Sequence, residues 1–300
     1  MGWFDGFDAQ HHAVNGIELF ARSGGRADGP TLLLLHGFPQ THAIWHRVAQ
    51  RLAERFFIVM PDLRGYGDSA KPPGDGDHAN YSKRAMAADM VALMAAIGRP
   101  RFTLVGHDRG GRVAHRLALD HPQAVERLML IDIAPTLDMY DRTDMRLATW
   151  YYHWFHLIQP APLPERMIGG NARFYLHWKL GGWGGSDGLR YIEPEALAEY
   201  ERCFCTAEAI HAACEDYRAS AGIDLEHDRA SRERGDKIAC DLQLLWGQHG
   251  VIERLYEPLA LWQAQCAGTV SGRALPAGHF IPEQLYADTA DAIAAFASPA

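Results

Sequence analysis

Residues 102–114 read Phe-Thr-Leu-Val-Gly-His-Asp-Arg-Gly-Gly-Arg-Val-Ala, and the aspartate in that run constrains the chain more than any other feature. An apolar strand leads into Gly106-His107-Asp108-Arg109-Gly110 and continues into a helical segment. This is the frame of the nucleophile elbow, G-x-S-x-G, with Asp108 standing where a serine would. The glycines on either side permit a strained, close-packed turn that lifts the central side chain clear of the sheet. A carboxylate there attacks saturated carbon and leaves an ester bonded to the enzyme, which suits carbon–halogen or epoxide substrates. The bland alternative is a strand–turn–helix junction in which Asp108 only caps the helix.

The rest of the chain supplies the sheet that such a turn requires. Gly16–Ala21, Thr31–Leu35, Phe57–Pro61, Thr103–Gly106 and Val125–Asp132 read as strands, with helices over Trp45–Glu54, Tyr81–Ile97 and Arg109–Asp120. Met86, Met90, Val91, Met94 and Ile97 recur at helical spacing in the second of these helices. The βαβ rhythm predicts an α/β fold: a mostly parallel sheet with helices on both faces. From about Asp138 strand-like runs vanish, and helical stretches rich in aromatics follow at Leu147–Leu157, Asn171–Leu180, Pro194–Cys203 and Glu208–Ser220. After a charged segment, Glu226 to Lys237, the strand rhythm returns at Leu242–Trp246. The expected organisation is a core of residues 1–137 and 229–300 with a helical cap, 138–228, inserted over the strand ends where α/β sites form. The glycine-rich run Gly181–Gly188 is too short and aromatic for a linker.

Three further segments carry chemistry. Leu32-Leu33-Leu34-Leu35-His36-Gly37-Phe38-Pro39 is an apolar run ending in a glycine turn. Phe57 to Ser69 holds a second buried strand opening into Arg64-Gly65-Tyr66-Gly67-Asp68-Ser69. Near the C-terminus, Ala277-Gly278-His279-Phe280 sets a histidine in a short loop, last in the order nucleophile, acid, histidine. Together these segments resemble the α/β-hydrolase fold and, within it, the aspartate-nucleophile branch of haloalkane dehalogenases, epoxide hydrolases and haloacetate dehalogenases. Similarity to the fluoroacetate (haloacetate) dehalogenases covers nearly the whole chain. It is carried by His36-Gly37-Phe38-Pro39, Asp108-Arg109-Gly110-Gly111-Arg112, His153-Trp154, Trp183, Tyr217 and His279.

The resemblance implies a catalytic set of Asp108, Asp132 and His279, with the oxyanion held by the backbone N–H groups of Phe38 and Arg109. Many relatives carry the acid in a W-G-x-x-D turn, whereas this chain reads Trp246-Gly247-Gln248-His249-Gly250. Asp132, at the end of the preceding strand, is available, and haloacetate dehalogenases put the acid there; the alternative is that it caps the turn before Pro135. Arg112 falls four residues past Asp108, hence on the same helical face, and Arg109 is adjacent. Two planar forks suit a substrate carboxylate. His153, Trp154 and Tyr217 each carry an N–H or O–H able to stabilise a departing halide, and Trp183 is expected to line the pocket. Without the resemblance, Trp150 to His156 reads as an amphipathic core helix. The expected reaction takes fluoroacetate to glycolate plus fluoride, without cofactor or metal. The rival is an epoxide hydrolase, which has no use for twin arginines beside its nucleophile. Which halogen is preferred stays open.

Composition excludes several other classes. A net charge of −8 gives no basic footprint for nucleic acid and argues against an anionic membrane surface. No stretch approaches the ~20 apolar residues of a membrane helix. The start, Met1 to Asp8, lacks the layout of a signal peptide. Five cysteines, Cys203, Cys205, Cys214, Cys240 and Cys266, form no disulfide framework and are expected to pack in a reducing cytoplasm. His11 and His12 read as strand-edge or solvent-facing residues. The expected partner is a small haloacid, and the resemblance implies a homodimer.

Overall fold

The computed structural model describes residues 3–185 and 188–298; Met1, Gly2, two residues of the Gly181–Gly188 run, Pro299 and Ala300 lie outside the described residues. Eight strands form one sheet: β1 (Phe7–Val14), β2 (Ile17–Gly25), β3 (Thr31–Leu35), β4 (Phe57–Pro61), β5 (Phe102–His107), β6 (Val125–Ile131), β7 (Leu242–Gly247) and β8 (Val270–Leu275). Their order is β1-β2-β4-β3-β5-β6-β7-β8. From β4 to β8 every pairing is parallel; β1 and β2 add an antiparallel edge. Asn15 and Gly16 turn that hairpin with φ of 48° and 77°, the backbone a two-residue turn of matching twist requires. The expected mixed α/β sheet is the one observed.

The central strands are apolar along their whole length because helices cover both faces. All of Thr31–Leu35 and all of Phe102–His107 are buried. Two apolar layers result. One joins Leu33, Leu35, Leu104 and Leu130 to residues between β6 and β7 such as Trp154, Leu176 and Tyr217. The other packs Leu32, Leu34, Ile58, Val105 and Met129 against Trp45 and Ile293.

Helices α1 (His46–Leu52), α2 (Lys83–Ala96) and α3 (Arg109–Asp120) cross between core strands. Tyr81, expected as the start of α2, instead belongs to a short 3-10 turn, because Ser82 caps the helix by accepting from the Ala85 N–H. Between β6 and β7 the described chain holds helices and no strand: α4 (Thr136–Asp141), α5 (Met145–Trp150), α6 (Tyr152–Leu157), α7 (Leu163–Gly169), α8 (Ala172–Trp183), α9 (Pro194–Phe204), α10 (Ala207–Ala221) and α11 (Ile223–Arg234). The expected single helix over Leu147–Leu157 is two, broken at Tyr151. The charged segment from Glu226 is mostly helix, and α11 runs across the expected boundary at residue 228. No described helix is long and apolar enough to cross a membrane.

Strand register decides where chemistry can gather. Leu35 of β3 stands beside Gly106 of β5, and His107 stands beside Ile131 of β6. The residues that follow these strand ends, Phe38, Asp108 and Asp132, therefore emerge side by side. Leu275, ending β8, lies beside Gly247 at the end of β7, which brings the His279 loop to the same rim.

Candidate active site

Asp108 sits at φ 48°, ψ −116°, a conformation that L residues rarely hold without support. The support is visible. Gly106 packs so tightly on the start of α3 that a Cβ there would stand 2.6 Å from the Gly110 carbonyl oxygen. Gly37 approaches from β3, where a Cβ would meet the Asp108 Cβ at 2.4 Å, its Oδ1 at 2.6 Å and the Arg109 nitrogen at 2.9 Å. The turn is thus wedged between two glycines. The Phe38 N–H donates to Asp108 Oδ1 at 2.9 Å. The Arg109 nitrogen faces the same spot, although it makes no hydrogen bond to that oxygen.

Asp132 also has a positive φ, 53°, and accepts from the Gly247 N–H at 2.9 Å through Oδ1. Its Oδ2 lies 2.6 Å from His279 Nδ1. A carboxylate can only accept, so Nδ1 carries the proton and Nε2 is left bare. Nε2 has no hydrogen-bond partner and faces Asp108 Oδ2 at 3.7 Å. The histidine loop is fastened from both sides: the His279 N–H donates to the Trp183 carbonyl at the end of α8 at 2.9 Å, and the His279 carbonyl is 2.9 Å from His107 Nε2. Burial holds His107 near a pKa of about 3, so it is neutral and donates that bond.

The two acids and the base shape one another's charge. Burial opposes the Asp108 anion, but His279 and the nearby arginines outweigh it and keep the carboxyl below its ordinary range. Burial likewise opposes a charged His279, yet its bond to Asp132 and the charges of Asp132 and Asp108 raise it above the ordinary histidine value.

The arginines differ. Arg109 is fully buried and gives Nε and Nη2 to Asp216 at 2.8 and 2.7 Å, with its guanidinium 4.1 Å from the centre of the Tyr217 ring. Asp216 also takes Lys83 and the Tyr66 hydroxyl, the latter at 2.6 Å. Among the described residues Arg112 has no carboxylate in an ion pair: it donates to Thr136 Oγ1 at 2.8 Å, to the Ala134 carbonyl at 3.3 Å and to Met139 Sδ at 3.4 Å, and its Nε is unpartnered. The Trp154 ring lies against it at 4.6 Å. Sequence reasoning treated the two as twins and missed Asp216; the available signal was an acid directly before Tyr217 on an apolar helix.

His153 stacks on Phe38 with ring centres 6.0 Å apart and planes 8° apart, and Trp183 meets it at 4.5 Å. Burial, then the charges of Lys179 and His279, push its pKa well below the ordinary value, so it is neutral. Burial, then the Asp108 charge, push the Tyr217 phenol well above its own, so it keeps its proton. His153 Nδ1 and the Tyr217 hydroxyl are buried without partners. Both sit in one aromatic cluster with Phe38, their rings 5.5 Å apart, and each carries a polar group able to meet a small ligand. A cleft of about 440 Å³ runs from His279 and Trp183 outward past Tyr151, Lys179 and Arg254.

A family model described as "alpha/beta hydrolase fold" matches residues 30–161. The chain belongs to the α/β-hydrolase family. It is 44% identical to a fluoroacetate dehalogenase of Burkholderia sp. over 99% of its own length and 96% of that protein's. It is 30% identical to a soluble epoxide hydrolase of Corynebacterium sp. strain C12 over 91% and 92% of the two. A crystal structure of an α/β hydrolase from Nostoc sp. PCC 7120 superposes with a TM-score of 0.94 at 49% identity, covering 98% of this chain and 99% of that one. The resemblance drawn from the elbow and its surroundings thus holds at the level of the whole fold.

Proposed function

We propose that this α/β hydrolase is a haloacetate dehalogenase that converts fluoroacetate to glycolate and fluoride through an ester on Asp108. The observation that carries the reading is Arg112, a buried cation with no carboxylate partner among the described residues, four residues from an aspartate in the nucleophile position. A substrate carboxylate supplies the missing partner, and its α-carbon then faces Asp108. Arg109, already held by Asp216, contributes charge rather than two free donor edges.

The steps balance as follows. Asp108 Oδ2 forms a bond to the α-carbon as the carbon–halogen bond breaks, and the halide leaves with the electron pair. His153 and Tyr217 donate to the departing halide, with Trp154 lining the same side. The ester carbonyl oxygen, formerly Oδ1, stays on the Phe38 N–H. Esterification removes the Asp108 charge, one of those that raise the His279 pKa, so the neutral ring with its bare Nε2 is favoured and takes a proton from water. The hydroxide adds to the ester carbonyl carbon, the Phe38 and Arg109 N–H groups bear the oxyanion, and its collapse breaks the bond to the glycolate oxygen, which takes the proton back from His279 as Asp108 is restored.

Support comes from the fluoroacetate dehalogenase likeness at 44% identity. The epoxide hydrolase likeness is weaker, and epoxide opening gives no role to a free guanidinium at the nucleophile. Halide release assayed on fluoro-, chloro- and bromoacetate beside an epoxide decides between them. Diol formation without halide release refutes the proposal.

The same reading includes a core of residues 1–137 and 229–300, a cap of 138–228, a cytoplasmic location and a homodimer. Exposed Met167, Phe174 and Trp178 on α7 and α8 give the dimer a candidate face. Light scattering on a Phe174→Glu, Trp178→Glu variant should read half the wild-type mass; an unchanged mass places the interface elsewhere.

A further inference from the structure

The cleft outside His279 holds one charged group that the reaction does not use. Lys179 of α8 lies one turn before Trp183 and is 1% exposed. Its Nζ stands 3.5 Å from the centre of the Tyr152 ring, 4.9 Å from Trp183 and 5.4 Å from Tyr175. Among the described residues no oxygen accepts from it and no carboxylate pairs with it. Ring faces attract an ammonium but fall well short of the hydration it has given up. A buried cation in that condition is completed by an anion.

The surroundings select for one. Lys179 and His279 line the same cleft, together with Arg254 and His249, and among the described residues no Asp or Glu lines it. The chain as a whole carries −8, so an anion approaching elsewhere meets repulsion. We propose that Lys179 is an anion-docking site in the outer cleft, binding a small monovalent anion between solvent and the Arg112 site. Two such anions pass this point if the proposed function holds: the incoming haloacid carboxylate and the departing halide. The site itself rests only on the cage and the cleft.

Because the ammonium is the binding group, occupancy depends on its proton. Burial brings Lys179 down to about 7, so anion affinity is full below that pH and lost above it. Other titratable or charged groups face it: Tyr152, His153 and His156 from α6, Tyr175 on its own helix, and His249, Arg254 and His279 across the cleft. Substitution at residue 179 keeps all of these.

The test is calorimetric titration of the full chain with sodium acetate and, separately, sodium bromide, between pH 6 and 8. The wild type, Lys179→Met and Lys179→Arg are compared. At pH 6, Lys179→Met should weaken binding about tenfold, the scale of one lost charge-assisted hydrogen bond. From pH 6 to 8 the wild type should lose affinity about tenfold, while Lys179→Arg, charged throughout, should not. Weakening of acetate alone identifies a carboxylate site, of bromide alone a halide site, and of both a general anion site. Equal affinities in all three proteins, or the same pH slope in wild type and Lys179→Arg, overturn the proposal and leave a packed lysine. If Lys179→Met does not fold, the pH comparison with Lys179→Arg still decides. Lys179-dependent acetate binding in a protein that releases no halide would retain this site and reject the dehalogenase reading.

Discussion

Gly250 faces the carboxylate of Asp132: a Cβ on it would stand 3.5 Å from both oxygens. The W-G-x-x-D turn after β7 and the end of β6 therefore deliver an acid to the same point, beside His279 Nδ1. Nothing in the sheet has to move for the acid to change strands. Gly250 has φ −84°, open to any residue, whereas Asp132 at φ 53° occupies a conformation glycine adopts more easily.

This geometry predicts a rescue. Asp132→Asn should slow ester hydrolysis by roughly 10⁴-fold, since the amide no longer fixes the His279 tautomer or its charge. Asp132→Gly combined with Gly250→Asp returns a carboxylate from the other strand and should recover at least tenfold over Asp132→Asn. Single-turnover measurement of ester decay checks both. A double variant as slow as Asp132→Asn shows that proximity alone does not replace the acid.

The pH behaviour follows from His279. In the ester the Asp108 charge is gone, but the bond to Asp132 and the Asp132 charge still act to raise His279, so the base is protonated and ester hydrolysis is lost as pH falls. Halide displacement needs only ionised Asp108, held below its ordinary range, so it should persist to lower pH. A stoichiometric halide burst without turnover is expected on the acid side, and His279→Asn should show it at every pH. Free turnover of that variant excludes His279 as the base.

Much of this arrangement was legible before any coordinates, because covalent logic and strand periodicity are local. The elbow, the Phe38 loop and His279 each carry their own glycines and follow an apolar run. β1 was not read as a strand because, as an exposed edge, it alternates Phe-Asp-Ala-Gln-His-His and offers little apolar signal. β8 was missed for the same reason: its residues alternate half-buried and exposed. The division of labour between Arg109 and Arg112 was out of reach, since both lie on the same buried helix. Only the docking of α10 decides which one meets Asp216, 107 residues away in sequence.

That docking yields a stability prediction. Asp216 pairs with both Arg109 and Lys83, the latter also 3.4 Å from Asp224, among buried side chains. Asp216→Asn should destabilise the fold by about 3–5 kcal/mol, the usual result of stranding buried charge. It also frees the Arg109 fork, so surviving protein should bind acetate differently from wild type. Urea denaturation gives the first quantity. A loss under 1 kcal/mol shows that the pair's desolvation already cancelled its attraction.

The last prediction separates halide assistance from packing. Tyr217→Phe keeps the ring that meets Phe38 at 5.3 Å and lies under Arg109, and deletes only the unpartnered hydroxyl. The volume change is small, so the fold should be unaffected. Fluoride is a poor leaving group whose developing charge is compact and strongly hydrogen-bonded, whereas chloride departs with less help. Removing a donor that acts in the transition state costs on the order of 3 kcal/mol, about 100-fold in rate. Fluoride release should fall by about that factor, and chloride release from chloroacetate by much less. Single-turnover halide release on the two substrates measures both. Equal losses would mean that Tyr217 shapes the pocket without touching the halide, and the orphaned His153 Nδ1 would then be the donor to remove next.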